Sequence, residues 1–475
     1  MRLKSVLNTD AFDVRRYREI YEMSNSIQQV AKKGKGLLPT FPDLLGDIWA
    51  SLFKMRPEIK EKIPKGMEAN KVLMEKNFSD PRFQDFREFT RLDDLSAALG
   101  TVSLGEAIYQ WLEEAKSQNQ KLQEAFQKAK DAQHQKSKKD DSEVGKKQRQ
   151  EAQKNLTKAL KEIAELLKQE GNGSSFQEAI MHAIQETHDT KKGLEMLVSG
   201  IKPGDGPAEL KKIPLRDQMA LAEKIKNTKK LKEIAKWAGR FKQIARKKQK
   251  SKKADSFTRN GVSIGNQVER LLPLELGLYT TAETEMDFLR RFCEGTTMMY
   301  DQRGEETLGR GPVILCLDQS SSMRGLDDQA KGFALALMSV AKKQRRDFAL
   351  VLFSTNVKTL KYPKGKVSPN EMVDLATIFL GGGTRFDRPL EKAVEILNES
   401  HFKKADVVFV TDGEANLGNK FIDWFNKLKK EKDFNVLGIK INDSSNGMQV
   451  LSAFSDQIVN IRDFQEEEGH IAFEI

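Results

Sequence analysis

A chain of 475 residues is too long for one small core, so two or three domains are expected. Hydrophobic residues make up 38% and charged residues 31%, a polar balance that implies exposed helix or linker beside the packed domains. The net charge of +11 favours acidic partners, and two cysteines without a CxxC pair exclude a disulfide scaffold and a cysteine zinc site.

From about residue 15 to 33, Tyr17, Ile20, Tyr21, Ile27 and Val30 fall at helical spacing, and Gly34 and Gly36 are expected to end the helix. A second helical piece follows Pro42. Between 77 and 98, Phe78, Phe83, Phe86, Phe89 and Leu92 recur every three to four residues. This is bundle-core spacing; a stacking platform for bases wants strands and interleaved arginines. Residues 105–132 read as a further helix. The 133–153 segment then loses almost all large apolar residues, and helical spacing returns at Leu156, Leu160, Ile163, Leu166 and Leu167. The two flanking helices are expected to pair antiparallel as a projecting coiled-coil arm, with the charged segment as its end or as a loop.

Ser175 follows a glycine-rich break and is expected to cap the next helix. Residues 202–207 are turn-rich, and 215–225 and 231–244 are helical. The run 246–253 (RKKQKSKK) is strongly basic. Its plain reading is a solvated surface run; its sharper one is a contact for phosphates or anionic lipid heads. Residues 268–278 and 285–292 read as an apolar bridge between the helical part and the C-terminal part, and 300–311 as a polar linker. The expected domains are therefore a helical 1–204, a helical bridge with basic linker at 205–310, and an α/β domain at 311–475.

In that last domain short apolar runs alternate with helical spacing, which implies a doubly wound, mostly parallel sheet. Strands are expected at 313–317, 348–353, 357–362, 407–410, 436–441 and 458–461. Ligands bind outside the carboxyl ends of such strands. There the sequence places Asp318 with Ser320 and Ser322, then Gly381-Gly382-Gly383-Thr384, then Thr411-Asp412-Gly413. Carboxylates and hydroxyls are hard oxygen ligands that suit Mg²⁺ better than zinc or copper. The five histidines (His134, His182, His188, His401 and His470) have no metal or triad spacing and are expected at the surface.

This ordered set resembles the von Willebrand factor A domain and its metal-ion-dependent adhesion site, over about 311–464. The resemblance implies that Ser320, Ser322 and Thr384 offer hydroxyl ligands. Asp318 and Asp412 would hold Mg²⁺, or Mn²⁺ or Ca²⁺, directly or through water, and one position stays open for a partner's carboxylate. Ser321 departs from the glycine that many members carry between the two serines, and a distorted loop or a changed metal affinity is the expected effect. A wider likeness, carried by 270–276 (RLLPLEL), Tyr300 and 333–338 (FALALM), is to the bacterial ViaA (CoxE-like) group, whose members work with MoxR-type AAA+ ATPases such as RavA.

The likeness implies a non-enzymatic adaptor or co-chaperone that engages a target's Asp or Glu and relies on a MoxR-type ATPase. No GxxxxGK[ST] sequence occurs in the chain, so ATP hydrolysis must come from elsewhere. The alternative is a stand-alone metal-dependent scaffold contacting anionic membrane or nucleic acid, with nucleic acid the weaker partner. An aspartate-based phosphatase is disfavoured, because Ser320 stands where that chemistry wants a second acid. Lacking an apolar leader or a run of about 18 apolar residues, the chain is expected to be cytoplasmic, with a peripheral place at the inner membrane face.

Overall fold

The structure, a computed structural model, describes residues 3–137, 143–169, 174–202, 204–255, 262–300, 311–399, 402, 405–413, 415–441 and 448–474. It divides into two packed units: Met1–Val198 with Gly206–Lys232, and Ser199–Asp205 with Glu233–Ile475. Among the described residues no helix is long and apolar enough to cross a membrane.

The first unit is helical, and its breaks are set by single polar residues. Ser24 has extended backbone and accepts a bond from Ile27 N at 3.2 Å, so the helix expected over 15–33 is two, Ala11–Met23 and Asn25–Leu37. Gly34 does not end the second. It is buried against Phe41, whose ring atoms would lie 2.1 Å from a Cβ there, so the glycine serves close approach. Asn119 likewise splits the 105–132 expectation into Asp94–Gln118 and Gln120–Ser137, its Oδ1 accepting from Lys121 N and Leu122 N. Phe83 and Phe86 are buried as expected, but Leu92 is exposed with φ 58° and belongs to no core.

Helices Gln120–Ser137 and Glu143–Gln169 form the expected hairpin, burying Leu122, Phe126 and Ala129 with Leu156, Leu160 and Ile163. Lys128 reaches Glu162 across it at 3.3 Å. Both helices run on into the charged segment, because mixed Lys and Glu residues keep a solvated helix intact; 138–142 lie outside the described residues. The arm is less free than expected, since its second helix also packs on Glu68–Ser79. The break expected at 171–173 before Ser175 is likewise outside; the next helix is Ser174–Val198.

The N-terminal segment is held by Asp47, a fully buried carboxylate in helix Phe41–Phe53. It accepts from Ser5 Oγ at 2.5 Å and Val6 N at 3.2 Å. Burial pushes its pKa up to about 7, against those hydrogen bonds. The unfolded chain loses the same proton near 4, so between about pH 4 and 7 the native state binds more protons and stability falls as pH rises. Asp47→Asn is expected to flatten that slope in urea denaturation measured from pH 4 to 8. Asp47→Ala, which strands the two donors, is expected to cost roughly 1–3 kcal/mol at pH 5.

In the second unit, helix Lys229–Asp255 continues through the basic run rather than ending before it. Lys248 pairs with Glu467 and Glu474, and the Gln249 side chain bonds the Phe473 carbonyl, so part of the run is committed within its own unit. Side chains from 250 onward lie outside the described set. The same helix stacks its apolar face on helix Asp327–Gln344. Gly332 is pressed so close that a Cβ would sit 2.5 Å from Trp237 Cβ, and Phe241 meets Phe333, Phe464, Phe473 and His470 in one aromatic cluster. His470 is therefore buried, not at the surface: its Nε2 lies 3.0 Å from the Phe464 carbonyl, and burial lowers its pKa.

Next come strands β1 (Val262–Gly265) and β2 (Thr297–Tyr300), an antiparallel pair enclosing helices Pro273–Thr280 and Glu285–Cys293. This piece has its own small core of Leu271, Phe288 and Met299. The polar 301–310 is outside the described residues.

The six remaining strands are β3 (Val313–Asp318), β4 (Phe348–Phe353), β5 (Val357–Tyr362), β6 (Asp406–Thr411), β7 (Val436–Ile441) and β8 (Gln457–Ile461). They form one sheet in the order β5-β4-β3-β6-β7-β8, parallel except for β5. Helices separate the parallel strands, as the sequence alternation implies. β3, β4 and β7 are buried along their whole length, which is why they read as unbroken apolar runs. Strand order reverses between β3 and β6, and the loops leaving their carboxyl ends diverge there.

Candidate metal centre

The crevice at that reversal collects the five expected residues. Asp318 ends β3 and is fully buried. Its Oδ1 accepts from Ser320 N at 2.8 Å and its Oδ2 from Thr411 Oγ1 at 2.6 Å. Ser320 Oγ lies 3.0 Å from Ser322 Oγ, and Ser322 Oγ donates to Asp412 Oδ1 at 2.9 Å. Thr384 comes from the 381–384 loop and lies against Gly413. Its Oγ1 lies 2.9 Å from where a Cβ on Gly413 would stand, so the absent side chain after Asp412 leaves the space Thr384 fills.

Burial raises the Asp318 pKa, against the bonds from Thr411 and Ser320, and the charge of Asp412 adds to the rise. Among the described residues neither carboxylate forms a salt bridge, and the nearby Lys440 amine is taken up by the backbone carbonyls of Asp412 and Gly413. The donor set fits a small hard cation. Ligands about 2.0–2.1 Å from an octahedral ion lie about 2.9–3.0 Å from their neighbours, the spacing already held by Ser320 Oγ, Ser322 Oγ and Asp412 Oδ1. Among the described residues no group of three His, Cys, Asp or Glu offers a competing site.

Ser321 does not distort the loop. Its backbone is right-handed helical (φ −62°), so the position needs no glycine. Instead its N donates to the Gly382 carbonyl at 2.9 Å, and its Oγ accepts from Gly382 N at 3.0 Å. With Gly381 N donating to the Gln319 carbonyl at 2.9 Å, these bonds tie the Asp318 loop to the loop that carries Thr384. Gly382 has φ +89°, a conformation open to glycine and costly to other residues.

Two residues escaped the sequence reading. Thr411 was legible only as part of a polar loop, yet it bonds Asp318 across the strands and accepts from Gly413 N at 3.0 Å. Lys440 is fully buried in β7 beside Thr411, its amine donating to the carbonyls of Asp412 at 2.8 Å and Gly413 at 3.3 Å. It fixes the turn that presents Asp412. A lysine inside the apolar run of 436–441 was the available signal.

A family model for the von Willebrand factor type A domain matches residues 313–414. With the sheet order above, this makes the C-terminal α/β region a von Willebrand factor type A domain. The whole chain is similar to an uncharacterised protein of Methanocaldococcus jannaschii, 26% identical over 98% of each chain. It is also similar to the regulatory protein ViaA of Proteus mirabilis, 33% identical over 36% of this chain and 38% of that one. Among solved structures it resembles a mussel byssus proximal thread matrix protein with a zinc-occupied adhesion site, 16% identical with a TM-score of 0.28, over 35% of this chain and 46% of that one.

The clamp between the two loops makes a specific expectation. Gly382→Ala should cost about 1–2 kcal/mol through its left-handed backbone, and Ser321→Ala about 1 kcal/mol through the lost bond. Because a backbone shift that relieves the strain at Gly382→Ala would also weaken its bond to Ser321 Oγ, the double variant should cost less than the sum, measured by urea denaturation.

Proposed function

We propose that this protein is a non-enzymatic adaptor whose crevice at Asp318, Ser320, Ser322, Thr384 and Asp412 holds a divalent cation and captures a carboxylate from a protein partner. The supporting observation is the chain of oxygens Ser320–Ser322–Asp412, already at ligand spacing at the one reversal of the sheet. When bound, Mg²⁺ or a similar ion supplies a positive anchor for an incoming Asp or Glu. Ser320, Ser322 and Thr384 would offer the ion hydroxyls, and Asp318 and Asp412 would hold it directly or through water. Asp318, with one donor already on each oxygen, holds negative charge behind the hydroxyls and orients Ser320. Lys440 keeps Asp412 at the rim.

The partnership extends to a MoxR-type AAA+ ATPase, which supplies the hydrolysis that this chain has no Walker A sequence to perform. Similarity to proteins named regulatory protein ViaA supports a regulatory role of this kind.

Millimolar Mg²⁺ or Mn²⁺ should raise the melting temperature of the wild type by several degrees and leave Asp318→Ala and Ser322→Ala unmoved. Capture of the MoxR-type ATPase on immobilised protein should fall at least tenfold in EDTA and in Asp318→Ala, with circular dichroism unchanged. Undiminished capture in both would remove the metal from the docking point.

A further inference from the structure

Eight of the thirteen exposed large apolar side chains among the described residues lie between 262 and 289. They are not scattered within it. Val262 and Ile264 share one face of β1. Leu276 with Tyr279, and Met286 with Leu289, stand three apart on the outer faces of the two helices. Met286 is 76% exposed and Leu274 66%. Meanwhile the buried apolar residues of this piece number three, Leu271, Phe288 and Met299. Its centre is given over to Glu275, fully buried and paired with Arg291 at 2.6 Å. A segment this short usually needs a disulfide, a metal or a partner to be stable, and Cys293, its one cysteine, is free and exposed.

Charge says what kind of partner. Residues 262–300 contain six acids (Glu269, Glu275, Glu283, Glu285, Asp287, Glu294) and three arginines, a net of −3 within a chain of net +11. Arg290 is spent on Asp287 and Glu294, and Arg291 on Glu275. Glu269, Glu283 and Glu285 are exposed without a salt bridge among the described residues, and of the three arginines Arg270 is left to set against them. A second copy would bring like charge against like charge.

We infer that this 262–300 module is a docking surface for an amphipathic helix of another protein, one whose apolar stripe is flanked by Lys or Arg. The apolar faces supply the affinity, and the exposed acids select basic partners and speed encounter. The module uses none of the residues of the metal centre, so the two surfaces are separate.

The test uses the full chain and fluorescein-labelled 18-residue peptides followed by anisotropy. One is a Leu/Lys helix with an apolar stripe, one its Leu/Glu counterpart, and one the Leu/Lys composition scrambled to lose the stripe. The Leu/Lys helix should bind saturably, at least tenfold tighter than the other two, and equally in EDTA and in Asp318→Ala. Leu276→Ser with Met286→Ser, both exposed positions, should weaken it at least tenfold without moving the melting temperature. Glu283→Lys with Glu285→Lys should weaken it similarly at low salt. Hydrogen exchange in the wild type should slow across 271–292 when the peptide is bound. Equal binding of all three peptides, unchanged affinity in Leu276→Ser/Met286→Ser, or no binding at all would overturn the inference. A concentration-dependent dimer lost in Leu276→Ser/Met286→Ser would overturn it in favour of a second copy.

Discussion

The pairing of β3 with β6 is the constraint on which the candidate metal centre depends. Leu317 faces Val410 in the parallel register, which carries Asp318 and Thr411 to the same edge of the sheet and lets the hydroxyl reach the carboxylate at 2.6 Å. Both strands are buried on both faces almost throughout, so a one-residue slip would swap the side chains packed on the two sides of the sheet. That rigidity is what allows a carboxylate to be buried with no cationic side chain beside it. Such a group opposes folding on its own account; the hydrogen bonds from Ser320 and Thr411 offset part of that cost. The remainder is tolerable only where the surrounding sheet is otherwise well packed.

Much of this was legible in the sequence, for a definite reason. Strands buried on both faces advertise themselves as short apolar runs, so the order of the α/β elements and the polar residue ending each strand could be read directly. Asp318, Ser320, Ser322 and Asp412 emerge from that, whereas Thr384 ends no strand and sits in the loop between helices Pro369–Thr377 and Asp387–Leu397, not at a strand end as expected. Interior polar partners could not be read so easily. Lys440 reaches the Asp412 turn from the neighbouring strand, a contact that exists only through sheet order. Ser321 looked like a flaw because glycine is the familiar occupant; its helical backbone and its bond to Gly382 depend on a loop 61 residues away.

The helical half was read well in kind and poorly in its joints. Periodicity reports which faces are apolar, and a single Ser or Asn at the seam leaves that pattern intact. Ser24 and Asn119 therefore broke helices that the spacing ran straight through, and both did so by capping the following turn. Gly34 misled in the opposite direction. A glycine within a helix can signal an ending or a close neighbour, and only the position of the Phe41 ring distinguishes them. The 262–300 module is a third case. Its apolar pattern implied burial, yet the pattern is turned largely outward.

The contact at Gly332 leaves the helix beyond the metal loop no slack against Trp237 and Ala238. That helix begins five residues beyond Ser322, and its buried Asp327–Lys331 pair stiffens the first turn. The Ser320–Ser322 loop therefore leads straight into a helix that is wedged in place, and its backbone has a fixed anchor on that side.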